Sequence, residues 1–217
     1  LAASLPLAVI ACGGSSSSSG GSASPTGPSP APVQANRAPV ITAMNFAPAF
    51  GIAQLTQFSF NASASDPDGD PITYTWEVGG NTFTGTSDRA VFPGGFTGAA
   101  RLTVADSKGL TTTDTRDVVV GSATGAWRGT WGGWVFTSTL TQTGSAVSGD
   151  YSDQLGPGRL DPASANTIDA NGNVRLRYKQ AIFSDFTFTG TMDATGRRMT
   201  GVVNGSGASN VPFTMTK

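Results

Sequence analysis

From about residue 57 onward, apolar and polar side chains alternate one for one in short runs. Each run stops at a cluster of glycine, proline, asparagine or aspartate. A period of two puts one set of side chains on each face of an extended strand, so each run reads as a strand with one buried and one wet side. Phe58, Phe60 and Ala62 alternate with Gln57, Ser59 and Asn61. Ile72, Tyr74, Trp76 and Val78 alternate with Thr73, Thr75 and Glu77, and Leu102 and Val104 with Arg101 and Thr103. The rhythm resumes after residue 124 with Trp134, Phe136, Ser138 and Leu140, then Val174, Leu176 and Tyr178, then Phe186 and Phe188, and finally Phe213 and Met215. Helix formers are scarce and β-branched residues common, while the 29 glycines supply turns. The pattern predicts an all-β protein with two separate cores.

Composition removes several chemistries. Histidine is absent, which takes away the usual general base and the commonest transition-metal ligand. The single cysteine, Cys12, cannot close an internal disulfide, and Ser-His-Asp and Cys-His mechanisms are excluded. With a net charge of −1 there is no basic footprint for nucleic acid.

Residues 1–12 are apolar and uncharged, and too short to span a bilayer. Their end, Val9-Ile10-Ala11-Cys12, resembles the lipobox of bacterial lipoproteins. The resemblance implies a signal segment, incomplete here because no Met or basic region precedes Leu1, with a diacylglyceryl group on Cys12. Two or more acyl chains, at about 0.8 kcal/mol per buried CH₂, anchor a protein stably. Gly13 and Gly14 follow Cys12 with no Asp beside it, which by the same resemblance points to the outer membrane of the bacterial cell envelope. Residues 13–36 are rich in Ser, Gly and Pro and carry no charge. Such a stretch buries too little apolar surface to offset its chain entropy, so a disordered tether is expected.

Residues 37–121 form the first predicted domain, with roughly seven short strands as in a β-sandwich. Ser65-Asp66-Pro67-Asp68-Gly69-Asp70-Pro71-Ile72-Thr73-Tyr74-Thr75-Trp76 and Leu102-Thr103-Val104-Ala105-Asp106-Ser107-Lys108-Gly109, with the opening Asn36-Arg37-Ala38-Pro39-Val40, resemble a PKD-type immunoglobulin-like domain. The stretch Ser87–Gly98 departs from that family's pattern: Phe96-Thr97-Gly98-Ala99-Ala100 stands in place of its aromatic-Gly-Thr-Tyr run. Trp76 is expected in the core. Three carboxylates in five residues repel one another unless a cation or solvent screens them. Some PKD domains hold Ca²⁺ through such loops, and the resemblance implies Asn36, Asp66, Asp68 and Asp106 as ligands. A solvated Asp/Gly turn is the plainer reading. No cofactor is required by any of these patterns, and Ca²⁺ is the one candidate.

Residues 124–217 read as an up-and-down antiparallel β-barrel. The Gly125-Ala126-Trp127 start and the repeated Thr-Gly-Thr and Ser-Gly-x-Tyr hairpins resemble the lipocalin and avidin class of small barrels in rhythm, and no ligand is implied by that. Trp127, Trp131 and Trp134 are candidate ligand-binding residues at a barrel mouth, and core packing explains them equally well. Arg175, Arg177 and Lys179 share one strand face, expected to be solvated, and Asp150, Asp153, Asp161 and Asp185 form no pair by local spacing.

The expected function is that of a non-catalytic cell-surface lipoprotein, anchored to the membrane by lipid and displaying its domains for contact with a surface protein or polysaccharide. A small-ligand carrier with a hollow barrel is the alternative, and a carboxylate-dependent hydrolase the third class. Neither sequence nor fold class alone chooses among them.

Overall fold

The alternating runs become seventeen strands in a computed structural model that describes residues 33–180 and 183–217. Cys12 and the tether as far as residue 32 lie outside the described residues. Contacts divide the chain after Ala35, and the unit from Asn36 to Lys217 holds everything that follows.

Eight strands make the first half: β1 (Val40–Ala47), β2 (Phe50–Ile52), β3 (Phe58–Ser65), β4 (Ile72–Val78), β5 (Asn81–Thr84), β6 (Ser87–Ala90), β7 (Phe96–Asp106) and β8 (Thr111–Gly121). They form a three-stranded sheet, β1-β3-β6, and a five-stranded sheet, β2-β8-β7-β4-β5. The inner faces supply the expected alternation: Phe58, Phe60 and Ala62 from one sheet meet Trp76, Val78, Leu102, Val104, Val118 and Val120 from the other. Trp76 is 1% exposed, packs on Phe60 with ring centroids 4.9 Å apart, and donates its Nε1–H to Gly85 O at 3.0 Å. Where the sequence departs from the family rhythm, β6 pairs with β3, Phe92 fills the core and β7 begins at Phe96.

The second half has nine strands: β9 (Gly125–Trp131), β10 (Trp134–Thr143), β11 (Ala146–Asp153), β12 (Gly156–Leu160), β13 (Thr167–Ile168), β14 (Asn173–Gln180), β15 (Phe183–Met192), β16 (Arg198–Gly205) and β17 (Ala208–Thr216). Pairing of β17 with β9 and of β10 with β11 closes an antiparallel barrel. Eight strands form the ring; β12 and the two-residue β13 occupy successive parts of the slot between β11 and β14. Between them, residues 161–166 leave the ladder, and Asn166 restores it by accepting the Arg177 N–H on Oδ1 at 2.6 Å. Asp161 braces this excursion. Hydrogen bonds from Ser164 and the Ala163 N–H, with Lys179 alongside, outweigh burial and hold its carboxyl down at about 2.

The barrel interior is filled. Phe136, Tyr151, Tyr178, Phe186 and Phe188 form a network of rings 5.0–5.9 Å apart, with Leu140, Leu176, Met199 and Met215 around it. Gly129 makes room for one of those rings, since a Cβ there would lie 2.5 Å from Phe136 Cζ. The hollow that a carrier needs is therefore taken up by side chains. Arg175, Arg177 and Lys179 face outward as expected; Arg177 pairs with Asp185 at 2.7 Å and Lys179 with Asp161 at 3.2 Å.

The two cores are not fully separate. Ile52, on β2 of the sandwich, belongs to the barrel core, with Leu55 packed against it. Gln142 of β10, 4% exposed, donates to Ala53 O at 2.7 Å and accepts the Ala123 N–H at 2.9 Å. Gln54 adds bonds to Gly144 N and Gln142 O at 2.7 and 3.3 Å. The sandwich thus closes one end of the barrel.

Candidate functional site

At the other end of the barrel, β9 and β10 are joined by Gly132 and Gly133, both in the left-handed region with φ of 53° and 87°. This two-residue turn fits the twist of a tight hairpin and sets Trp131 directly opposite Trp134. Directly opposed residues project to the same side of a sheet, so both indoles reach the barrel mouth. There they line a cavity of about 310 Å³ with Leu155, Phe186, Ala208 and Val211, and with Asp153 and Gln180 as its charged and amide groups. Trp134 is 36% exposed, while Trp131 rests on Phe186 with centroids 5.6 Å apart.

Trp127 is elsewhere. It is 2% exposed at the barrel end that meets the sandwich, donates to Ala123 O at 2.8 Å and carries Lys217 Nζ 4.8 Å above its ring. Four residues of strand separate it from Trp131, about 13 Å along the barrel at 3.3 Å per residue. The three tryptophans grouped in the sequence divide into one structural residue and two at the mouth.

The mouth has a polar floor. Trp131 Nε1 donates to Tyr151 Oη at 3.3 Å, and that hydroxyl donates to Asp153 Oδ2 at 2.9 Å. Asp153 Oδ1 accepts from Leu155 N and from Gln180 Nε2, each at 2.9 Å, and Gln180 Nε2 also donates to Gly156 O at 2.7 Å. Burial pushes the Tyr151 phenol well above its usual range, so it remains a donor. Sequence reading did not single out Asp153 or Gln180 as binding residues. Among the described residues that line the cavity, Asp153 is the one carboxylate.

The second candidate centre is the acidic loop of the sandwich. Asp66, Asp68 and Asp70 each place a carboxylate oxygen within 4.8 Å of the others. Asp66 Oδ1 accepts the N–H groups of Asp68 and Asp70 at 2.8 and 3.1 Å, which shapes the turn. Asp68 binds the Arg37 N–H and guanidinium, both at 2.7 Å, and that arginine holds its carboxyl below the usual range. Asp70 faces Lys108 Nζ at 2.9 Å. Asp106 stands apart from this trio. Its Oδ1 accepts Lys108 N and Leu110 N, and its Oδ2 accepts Asn36 Nδ2 at 2.7 Å. Burial pushes the Asp106 carboxyl up, but these bonds prevail and lower it. Three oxygens in the region, Asn36 Oδ1, Asp66 Oδ2 and Asp70 Oδ2, are buried; Asp70 Oδ2 meets the Lys108 ammonium, and the other two accept no hydrogen bond among the described residues.

The two-sheet fold, the inward tryptophan and the acidic loop all lie in one continuous stretch. Residues 36–120 match the PKD domain family. The match ends at Val120, so the barrel lies beyond it. No curated protein matches the chain. One solved structure is similar with a TM-score of 0.37 and 15% identity over 84% of this chain and 91% of that one; it is described as "Structural basis for the promiscuous specificity of the carbohydrate-binding modules from the beta-sandwich super family". At that score the likeness carries no weight here. The PKD domain supplies the acidic loop and Ile52, and the barrel supplies the mouth.

Proposed function

We propose that this protein is a non-catalytic binding protein of the bacterial cell surface, in which the barrel mouth takes a saccharide ring and the PKD domain holds the barrel away from a lipid anchor at Cys12. The observation that carries this reading is the pairing of Trp131 and Trp134 above Asp153 and Gln180, at the barrel end opposite the PKD domain. Flat apolar rings beside a few fixed polar groups suit a pyranose, whose faces are apolar and whose edges are hydroxyls. An acid–base hydrolase needs two carboxylates across the scissile bond, and one lines this cavity among the described residues. The filled interior favours contact at the rim over carriage within the barrel.

A soluble-glycan binding screen on the full chain tests this reading. Replacing both Trp131 and Trp134 with alanine should weaken binding at least about tenfold, since each ring contact is worth about 0.5–1.5 kcal/mol beyond its buried area. Trp127→Phe should leave binding unchanged. Failure of every saccharide to bind, or equal binding by the double variant, would overturn the proposal.

The acidic loop is proposed to hold Ca²⁺. The donors fit a hard cation: Asp66 Oδ2 is a buried oxygen without a hydrogen-bond donor among the described residues, the Asp68 and Asp70 carboxylates stand beside it, and Asn36 Oδ1 is a second buried oxygen without a donor. Arg37 and Lys108 would have to yield. Free Ca²⁺ at about ten to a hundred times Kd should stabilise the fold by about 1.4 to 2.7 kcal/mol. Thermal melts in millimolar CaCl₂ read this directly, with Asp66→Asn expected to remove the shift. Identical melts with Ca²⁺ and with chelator would eliminate the site.

A further inference from the structure

We propose that the saccharide taken at the mouth carries a free ammonium group, as a 2-amino-2-deoxyhexose unit does, and that Asp153 receives that ammonium. This rests on the mouth reading above and adds the chemical class of its ligand. The argument turns on which hydrogen-bonding capacity of the floor is already engaged. The Trp131 Nε1 donor goes to Tyr151, the Tyr151 hydroxyl goes to Asp153, and the Gln180 amide goes to Asp153 and Gly156. These three side-chain donors are turned inward onto protein acceptors, while the Trp134 indole N–H and the Ser206 hydroxyl, which also line the cavity, meet no protein acceptor among the described residues. The Asp153 carboxylate has more lone-pair sites than its three protein donors occupy. Around Asp153 itself the capacity left over is acceptor capacity, and the donors left over, on Trp134 and Ser206, suit the hydroxyls of the same ring.

Charge points the same way. Among the described residues no Lys or Arg lines the cavity and Asp153 forms no ion pair. Its negative charge sits half-buried beside apolar walls, and a ring entering the mouth would displace water from it and strengthen its pull on a cation. The faces of Trp131, Trp134 and Phe186 are electron-rich and add to a field that attracts cations. An ammonium has three donors and no acceptor, matching both the charge and the unfilled lone pairs. A neutral hexose would satisfy some lone pairs but leave the charge uncompensated. A cavity of about 310 Å³ is at the small end of ligand sites, which restricts the mouth to a single ring. Two indoles around one opening favour a ring over a thin aliphatic amine.

Titration calorimetry on the full chain decides the matter with four probes: glucosamine, N-acetylglucosamine, glucose and lysine amide. Glucosamine should bind at least tenfold tighter than the other three, and its affinity should fall as salt is raised. Asp153→Asn should bring glucosamine and glucose to nearly equal affinity. Because Asp153 also holds Tyr151 and Gln180, the variant's fold is checked by circular dichroism, and the salt dependence of the unaltered protein provides an independent reading. Equal binding of glucose or N-acetylglucosamine, with loss in the Trp131/Trp134 double variant, would overturn the ammonium assignment and leave the mouth reading standing. Equal binding of lysine amide would redirect the site to a protein partner. No binding by any probe would overturn this assignment, and no binding across the wider glycan screen would overturn the mouth reading too.

Discussion

Ile52→Ala should destabilise the barrel, although Ile52 belongs to the PKD domain. The expected loss is about 2–4 kcal/mol, the range for truncating a well-packed aliphatic side chain. Ile52 is 4% exposed and sits among barrel residues, with its Cδ1 close to Gly172 in the turn that begins β14. A tight turn presents it: Ile52 N donates to Thr56 Oγ1 at 2.8 Å, and Ile52 O accepts from Leu55 N and Thr56 N. β2 then runs parallel to β8, aligning Ile52 with Gly121 just before the barrel begins. Two domains that share a buried side chain and a buried glutamine should unfold in one transition. Denaturant melts read this well, because Trp127, Trp131 and Trp134 report on the barrel and Trp76 alone reports on the PKD domain. The alanine variant should lower the barrel midpoint. Ile52→Asp, which buries a charge, should split the melt into two transitions. A barrel midpoint unmoved by either change would reduce the joint to a surface contact.

Much of this architecture was legible because its signals are local. Alternation placed Phe58, Phe60, Trp76 and Leu102 in a core, and Asp106 to Gly109 and Asn171 to Asn173 marked turns, with Gly109 and Gly172 at φ of 94° and 80°. Closure of the barrel follows from hairpins plus one long-range pairing, β17 with β9. The broken strand was not legible: Gly156-Pro157-Gly158 has weak strand propensity, and the Asn166 side chain replaces a backbone partner that no local pattern encodes. Ile52 looked like any apolar residue at a strand end, since nothing near it names a partner more than 70 residues on. The mouth was half legible. Trp131-Gly132-Gly133-Trp134 announces a hairpin with two aromatic rings, whereas Asp153, Gln180 and Phe186 arrive from other strands through register. Sequence proximity groups Trp127 with Trp131 and Trp134, and it hides the distance along the strand that sets Trp127 at the other end of the barrel.

Trp76→Ala should be the most damaging single truncation in the PKD domain, costing about 3–5 kcal/mol. Trp76 bridges the two sheets: β4 carries it between β7 and β5, and its ring meets Phe60 of the opposite sheet. Alanine leaves a large cavity and also strips Gly85 O of its indole donor. Trp76→Phe keeps most of the volume and isolates that second effect, at about 0.5–1.5 kcal/mol, because Gly85 is exposed and its carbonyl can turn to water. For marginally stable domains a loss of this size decides whether the fold persists. The shared joint gives the result a second use. If Ile52 transmits stability, Trp76→Ala alone should lower the barrel transition together with that of the PKD domain. In an Ile52→Ala background the same change should melt the PKD domain and leave the barrel midpoint in place. A Trp76→Ala protein whose barrel melts at its unaltered midpoint, with Ile52 present, would show that the two cores stand independently despite the side chain they share.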